Sequence, residues 1–257
     1  MSLWRKLRIV VLLFVLATVA QGAWIARGRT TEWNNTVRVA IYPINGDQSS
    51  TADRYLAELE ANGFEPIEAF FKREAAGYGM GVGKPIEISL APVVSVEPPE
   101  PPFGGSRLEV ILWSLKLRLW AWQNDDYRGP KPDVRIFVSY FDAAANPRLA
   151  HSTGLQKGQI GVVNAFARND MNGSNNVVIA HELMHALGAM DRYDLSSNRP
   201  IYPDGFADPD AVPLYPQSRA EIMGGRIPVS ESAAEIPTGM HEVAIGTNTA
   251  RQINWLK

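Results

Sequence analysis

A chain of 257 residues, 46% hydrophobic and 20% charged, is long enough for one sizeable domain or two closely packed subdomains. Its formal charge of -2 gives no basic excess of the kind that holds nucleic acid. With no cysteine, the chain is excluded from disulfide, thiolate-metal and cysteine-nucleophile chemistry.

The N-terminus has the polarity of an export signal. Arg5, Lys6 and Arg8 precede the apolar run Ile9 to Ala17, which continues more weakly to Ala26. Thr18 and Ala20 are small enough to permit cleavage after Ala20. Ile9 to Ala26, however, is also just long enough to span a bilayer. We therefore read residues 1–29 as a signal peptide or, preferably, an uncleaved membrane anchor. In either case the basic cluster stays inside and residues 30–257 lie outside the cytoplasm, periplasmic or extracellular.

Thr36 to Ile44 alternates and is rich in β-branched residues, which predicts a strand. Asn45-Gly46-Asp47 is turn chemistry. Thr51 to Asn62 reads as a helix with Leu56 and Leu59 inward and Asn62-Gly63 at its end. Ile86 to Leu90 is a second strand, and the five prolines of Pro92 to Pro102 dictate an extended connection. Ser106 to Gln123 carries two apolar stripes at helical spacing. One holds Leu108, Ile111, Leu115, Leu119 and Trp122, and the other Val110, Trp113, Leu117 and Trp120. So broad an apolar surface predicts a core helix under a sheet, in preference to a membrane-surface helix. Val134 to Tyr140 and Gly161 to Phe166 are two further strands.

The loop Asn169 to Asn176 leads into an apolar helix, with Ser174, Asn175 or Asn176 as its cap. That helix contains His181-Glu182-Leu183-Met184-His185-Ala186-Leu187-Gly188-Ala189-Met190-Asp191, of the form H-E-x-x-H-x-x-G-x-x-D. Residues four apart share a helix face, so His181 and His185 can offer two imidazoles to one ion. Glu182 beside them can take a proton from a metal-bound water. Gly188 can end the helix with positive φ, and Asp191 returns an oxygen ligand. Two His and one carboxylate with an open fourth position make a catalytic zinc set, which names Zn2+ as the cofactor. About thirty residues on, Ala220-Glu221-Ile222-Met223-Gly224-Gly225 places a methionine before a tight turn.

These residues carry a resemblance. H-E-L-M-H-A-L-G-A-M-D-R-Y-D followed by E-I-M-G-G resembles the metzincin clan of zinc endopeptidases. The aspartate in third place resembles the small bacterial snapalysins. Asp191-Arg192-Tyr193-Asp194 is similar to the D-x-Y-D continuation of immune-inhibitor-A-type peptidases. The likeness covers roughly residues 175 to 226. It implies His181, His185 and Asp191 as zinc ligands, Glu182 as general base and Met223 as the Met-turn residue. The departure from the main pattern is Asp191 in place of a third His.

The chain beyond Asp191 is rich in Pro, Tyr and Asp, as suits loops lining a cleft, until Thr247 to Leu256 forms a closing helix with Ile253 and Trp255 as anchors. The expected fold is α+β and metzincin-like. A twisted mixed sheet with backing helices (about 30–188) lies over an active-site helix and an irregular lower part (about 189–257).

The expected function is a zinc-dependent endopeptidase acting on protein or peptide substrates, with Glu182 activating a zinc-bound water. Tyr193 and Tyr202 are candidate oxyanion donors. His151 and His241 read as surface or locally satisfied residues. Asp204, Asp208 and Asp210 are weaker candidates for Ca2+, since their spacing is not that of an EF-hand. The alternative is a membrane-tethered, non-catalytic zinc-binding scaffold, which would not need Glu182. A gluzincin-type site, with a later helical Glu as third ligand, fits the early Gly188 and Asp191 poorly.

Overall fold

The computed structural model describes residues 4–5, 8–9, 28, 32–102, 104–150, 152–155 and 159–256. Apart from Ile9, the N-terminal run to Ala26 lies outside them, as does His151. Among the described residues no helix is long and apolar enough to cross a membrane.

The fold is α+β around a five-stranded sheet. Its strands are β1 (Val37–Asn45), β2 (Ile86–Leu90), β3 (Val134–Phe141), β4 (Thr153–Leu155) and β5 (Ile160–Phe166), in the order β2-β1-β3-β5-β4. Four run parallel, and β4 closes one edge antiparallel to β5. Helical crossovers follow β1 and β2, as parallel pairing requires. The inner strands are covered on both sides, so β1 is an almost unbroken apolar run, buried from Val39 to Ile44.

Among the described residues five α-helices accompany the sheet: α1 (Ser50–Glu58), α2 (Glu65–Gly77), α3 (Arg107–Gln123), α4 (Asn172–Leu187) and α5 (Thr247–Gln252). Ser49 caps α1 by accepting from the Ala52 amide. The helix stops at Glu58 rather than reaching Asn62. A 3-10 turn at Ala61–Phe64 follows, then α2, an element the sequence reading does not contain. Pro66 in its first turn and the buried Ile67, Phe70, Phe71 and Ala75 at helical spacing are the signals for it. The three-residue β4 is likewise unread.

Side chains alternate across each strand and feed two cores. Val39, Ile41, Ile136 and Val138 pack with Phe70, Phe71 and Leu183, between the sheet and α1, α2 and α4. Ala40, Tyr42 and Phe137 meet Trp113, Leu117 and Trp120 of α3 on the other face. Burying side chains of this size contributes roughly 1.5–3 kcal/mol each.

Only one of the two stripes on α3 is in this core, and of that one Val110 is exposed. Trp113, Leu117, Trp120 and Ala121 are buried, whereas the Leu108–Trp122 stripe faces outward. The expectation of a core helix thus holds for one face and fails for the other. A single helix against a sheet can bury only the side that meets it.

After residue 188 the strands are all two residues long. β6 (Tyr193–Asp194) pairs with β7 (Arg199–Pro200), β8 (Ala220–Glu221) with β11 (Val243–Ala244), and β9 (Ile227–Pro228) with β10 (Ala234–Glu235). Ile222, Met223, Val243, Ile253 and Trp255 nonetheless join the first core, so the interior is continuous across residue 188. α5 is shorter than expected, but Ile253 and Trp255 anchor the C-terminus as anticipated. The Trp33 indole N–H donates to the Ile253 carbonyl at 2.6 Å and its ring meets Trp255 edge-on.

Candidate metal centre

Helix α4 begins one turn earlier than its expected caps. Ser174, Asn175 and Asn176 lie inside it, because their side chains are engaged elsewhere. The Ser174 hydroxyl donates back to the Met171 carbonyl. The Asn175 amide both accepts from the Phe166 N–H and donates to the Phe166 carbonyl, which joins the end of β5 to the helix. Asn176 donates to the Gly63 carbonyl. The helix ends where expected. Gly188 takes φ 115° and ψ 2°, and its N–H reaches the carbonyls of Met184 and His185.

His181 and His185 share one face of α4, with ring centroids 4.8 Å apart. Nδ1 of His181 lies 2.8 Å from the Ile222 carbonyl, and Nδ1 of His185 lies 2.9 Å from the Ala189 carbonyl. A carbonyl can only accept, so both Nδ1 atoms carry the proton and each Nε2 carries a lone pair in the neutral ring. Both Nε2 atoms are 3.1 Å from the same oxygen, Oδ1 of Asp191. A tetrahedron of roughly 2.0 Å metal bonds has edges of about 3.3 Å. The two Nε2–Oδ1 distances are close to that edge, and the backbone carbonyls fix both imidazoles with Nε2 turned towards Asp191.

His181, Glu182 and His185 form a group that can hold a metal ion, with ligand atoms all within 4.8 Å of one another. Two carboxylates thus accompany the imidazole pair. Asp191 meets both Nε2 atoms at one point, while Glu182 is buried beside them. The surrounding groups favour positive charge here. Burial opposes a charged His181 ring, but the Asp191 hydrogen bond, the Glu182 field and the Ile222 carbonyl outweigh it and raise its pKa to about 9. Burial likewise works against ionised Asp191, yet hydrogen bonds from the two imidazoles hold it well below the usual carboxylate range.

The turn after the helix is fastened to the site twice. The Ile222 carbonyl takes the His181 proton, and the Met223 carbonyl accepts from the Arg192 N–H at 2.8 Å. Met223 itself is fully buried. Its neighbour Glu221, assigned no role in the sequence reading, organises the turn. Oε2 accepts from the N–H groups of Met223 and Gly224, and Oε1 from that of Gly246. Burial pushes the Glu221 pKa up, and these hydrogen bonds only partly offset it. A lone acid in the apolar run Ala220 to Met223, beside a Gly-Gly turn, is the signal for such an acceptor.

A cleft of ≈ 340 Å³ opens over the helix. Val177, Val178, His181 and Glu182 of α4 line it, facing Phe166 of β5 and Gly224 to Arg226 of the turn. Tyr193 lies in its wall, with its ring 6.2 Å from that of His181. Burial and the negative fields of Asp191 and Glu182 push the Tyr193 hydroxyl up to about 12, so it stays protonated and able to donate.

The remaining candidates fall elsewhere. Tyr202 is exposed against Phe206 and does not line the cleft. His241 is exposed, 3.9 Å from Glu242. Asp204 accepts from Asn248 and lies near Arg192, and the Asp208 backbone pairs with Gln217. Among the described residues Asp204, Asp208 and Asp210 form no metal-binding group, which leaves the Ca2+ reading without a site there. The helical segments after α4 among the described residues are the 3-10 turn Met240–Glu242 and α5. Glu242 is committed to Thr238 and α5 has no glutamate, so neither offers a gluzincin-type ligand.

A search of protein-family models finds no match to the chain, and a search of curated proteins finds none either.

Proposed function

We propose that this chain is a zinc-dependent endopeptidase acting on protein or peptide substrates outside the cytoplasm. The observation that carries the reading is the convergence of His181 Nε2 and His185 Nε2 on Asp191 Oδ1, at 3.1 Å each, beside a buried glutamate in a cleft. Two imidazoles and one carboxylate are the donor set of a catalytic zinc with one position left for solvent or substrate. When bound, zinc supplies the Lewis acidity that lowers the pKa of water and polarises the scissile carbonyl.

His181, His185 and Asp191 hold the ion in this reading. Glu182 takes the proton of the attacking water and passes it to the leaving amine. Tyr193, held protonated in the cleft wall, donates to the developing oxyanion. The apolar walls Val177, Val178 and Phe166 seat substrate side chains and exclude bulk water. The extracytoplasmic placement comes from the basic residues ahead of the N-terminal apolar run.

The deciding experiment is metal analysis of the purified full chain, followed by cleavage of a peptide library with and without chelator. About one zinc per chain is expected, with cleavage lost on chelation and regained on adding zinc. Stoichiometric zinc with no cleavage of any peptide would favour the non-catalytic scaffold instead.

A further inference from the structure

Helix α3 is apolar on two opposite sides. Trp113, Leu117 and Trp120 pack on the sheet. On the far side Leu108, Ile111, Leu112, Leu115, Leu119 and Trp122 are 64, 56, 56, 55, 54 and 73% exposed. Their spacing puts all six on one stripe, about 21 Å long at 1.5 Å per residue. At about 100° per residue, Arg107 and Arg118 fall along one border of the stripe and Lys116 along the other. None of the three forms an ion pair among the described residues. Glu109, the one acid of the helix, has its carboxylate tied to Ser106 at the N-cap.

We propose that α3 is an interfacial helix whose outer stripe lies at the headgroup–acyl boundary of a bilayer containing anionic lipid. An exposed apolar face bordered by basic residues is the pattern of such helices. The unpaired cations decide between occupants. Two copies meeting through this stripe would bring like-charged borders together, whereas anionic headgroups complement them.

Chain geometry agrees. The apolar run to Ala26 is followed by seven residues to Trp33, a reach of at most about 25 Å. Trp33 is fixed in the core just ahead of β1, and α3 is joined through residues 124–133 to β3, the parallel neighbour of β1. Asp133 and Arg38 are hydrogen-bonded there through both N–H groups. Trp33 itself packs in the core on the sheet face opposite α3, so what the two share is the end of the sheet where β1 and β3 begin. The proposal does not depend on the peptidase reading.

With no native cysteine, one label can be placed at will. Full-length Leu115→Cys carries an environment-sensitive fluorophore and is reconstituted into phosphatidylcholine vesicles with and without phosphatidylglycerol. Val212→Cys, at a site 96% exposed, is the aqueous control. With anionic lipid, the label at 115 should shift to the blue, be quenched by nitroxide lipids and be protected from iodide several-fold better than the control. Added salt, or Arg107→Glu with Lys116→Glu, should reduce that protection. A label open to iodide in anionic vesicles would overturn the proposal. So would one shielded from iodide yet untouched by nitroxide lipid, because its cover would then be protein.

Discussion

His181 is joined to Ile222, 41 positions further along the chain, by a 2.8 Å contact between the imidazole Nδ1 and the backbone carbonyl. The adjacent Met223 carbonyl holds the Arg192 N–H at the same distance, one residue beyond Asp191. A single turn thus sets the tautomer of the first imidazole and the position of the carboxylate that meets it. Second contacts of this kind typically govern metal affinity by 10–100-fold.

Glu182→Gln keeps side-chain size and polarity but removes basicity. Zinc content and melting temperature should change little, while peptide hydrolysis falls by roughly two to four orders of magnitude. His185→Ala should instead lower zinc content and activity together, because it removes one of the atoms converging on Asp191. Near-normal hydrolysis by Glu182→Gln would reject the proposed mechanism.

Tyr193→Phe removes only the hydroxyl. If that group donates to the oxyanion, kcat should drop by about 100-fold or more with KM and zinc content nearly unchanged. Steady-state kinetics beside metal analysis read both, and an unaltered kcat would return Tyr193 to the role of a cleft wall.

Glu221→Ala strips the acceptor from three amides, those of Met223, Gly224 and Gly246. Each donor left buried and unsatisfied costs roughly 1–3 kcal/mol, so chemical denaturation should show a loss of about 3 kcal/mol or more. Zinc affinity should weaken as well, since the Ile222 carbonyl belongs to the same turn. Full stability in the variant would mean that the turn holds without its carboxylate.

Gly188→Ala places a Cβ at φ 115°, where L-residues are strained. Destabilisation of about 1–2 kcal/mol is expected, with weaker zinc binding as Asp191 shifts. Gly77→Ala is the control: it lies at the end of α2 with open space around its Cβ position, and should be neutral or mildly stabilising. Equal effects of the two substitutions on zinc affinity would argue against a special role for the turn at Gly188.

Asp47 joins the loops after β1 and β3. Its carboxylate accepts from the N–H groups of Ser49 and Asp142 and from the Asn146 amide. Burial, the largest single influence, raises its pKa, but these donors together with the Ser49 side chain outweigh it and hold it below the ordinary value of 3.8. A depressed folded-state value contributes stability that is present above the unfolded pKa and is lost as pH falls through the folded one. Urea unfolding from pH 5 down to pH 2 should therefore show a smaller acid loss in Asp47→Asn than in the parent chain. Superimposable pH profiles would show that Asp47 carries none of this dependence.

Local periodicity and spacing made much of this protein legible from its sequence. The i, i+4 imidazole pair, the glycine that ends α4 and the β-branched strands are set by residues within a turn or two of one another. The same reading missed α2 and β4, and it placed the start of α4 a turn late. In that case Asn175 and Asn176 satisfy distant backbone groups instead of capping their own helix.

What only the tertiary structure decided lies in long-range contacts, on which pattern is silent. The turn around Met223 meets His181 and Arg192 because α4 and the β8 region fold against each other, and Glu221 becomes buried only in that arrangement. Helix α3 is the clearest case. With apolar residues on opposite sides, its sequence does not say which face meets the sheet. The packed fold selects Trp113, Leu117 and Trp120, and a sheet on one side leaves the Leu108–Trp122 stripe uncovered.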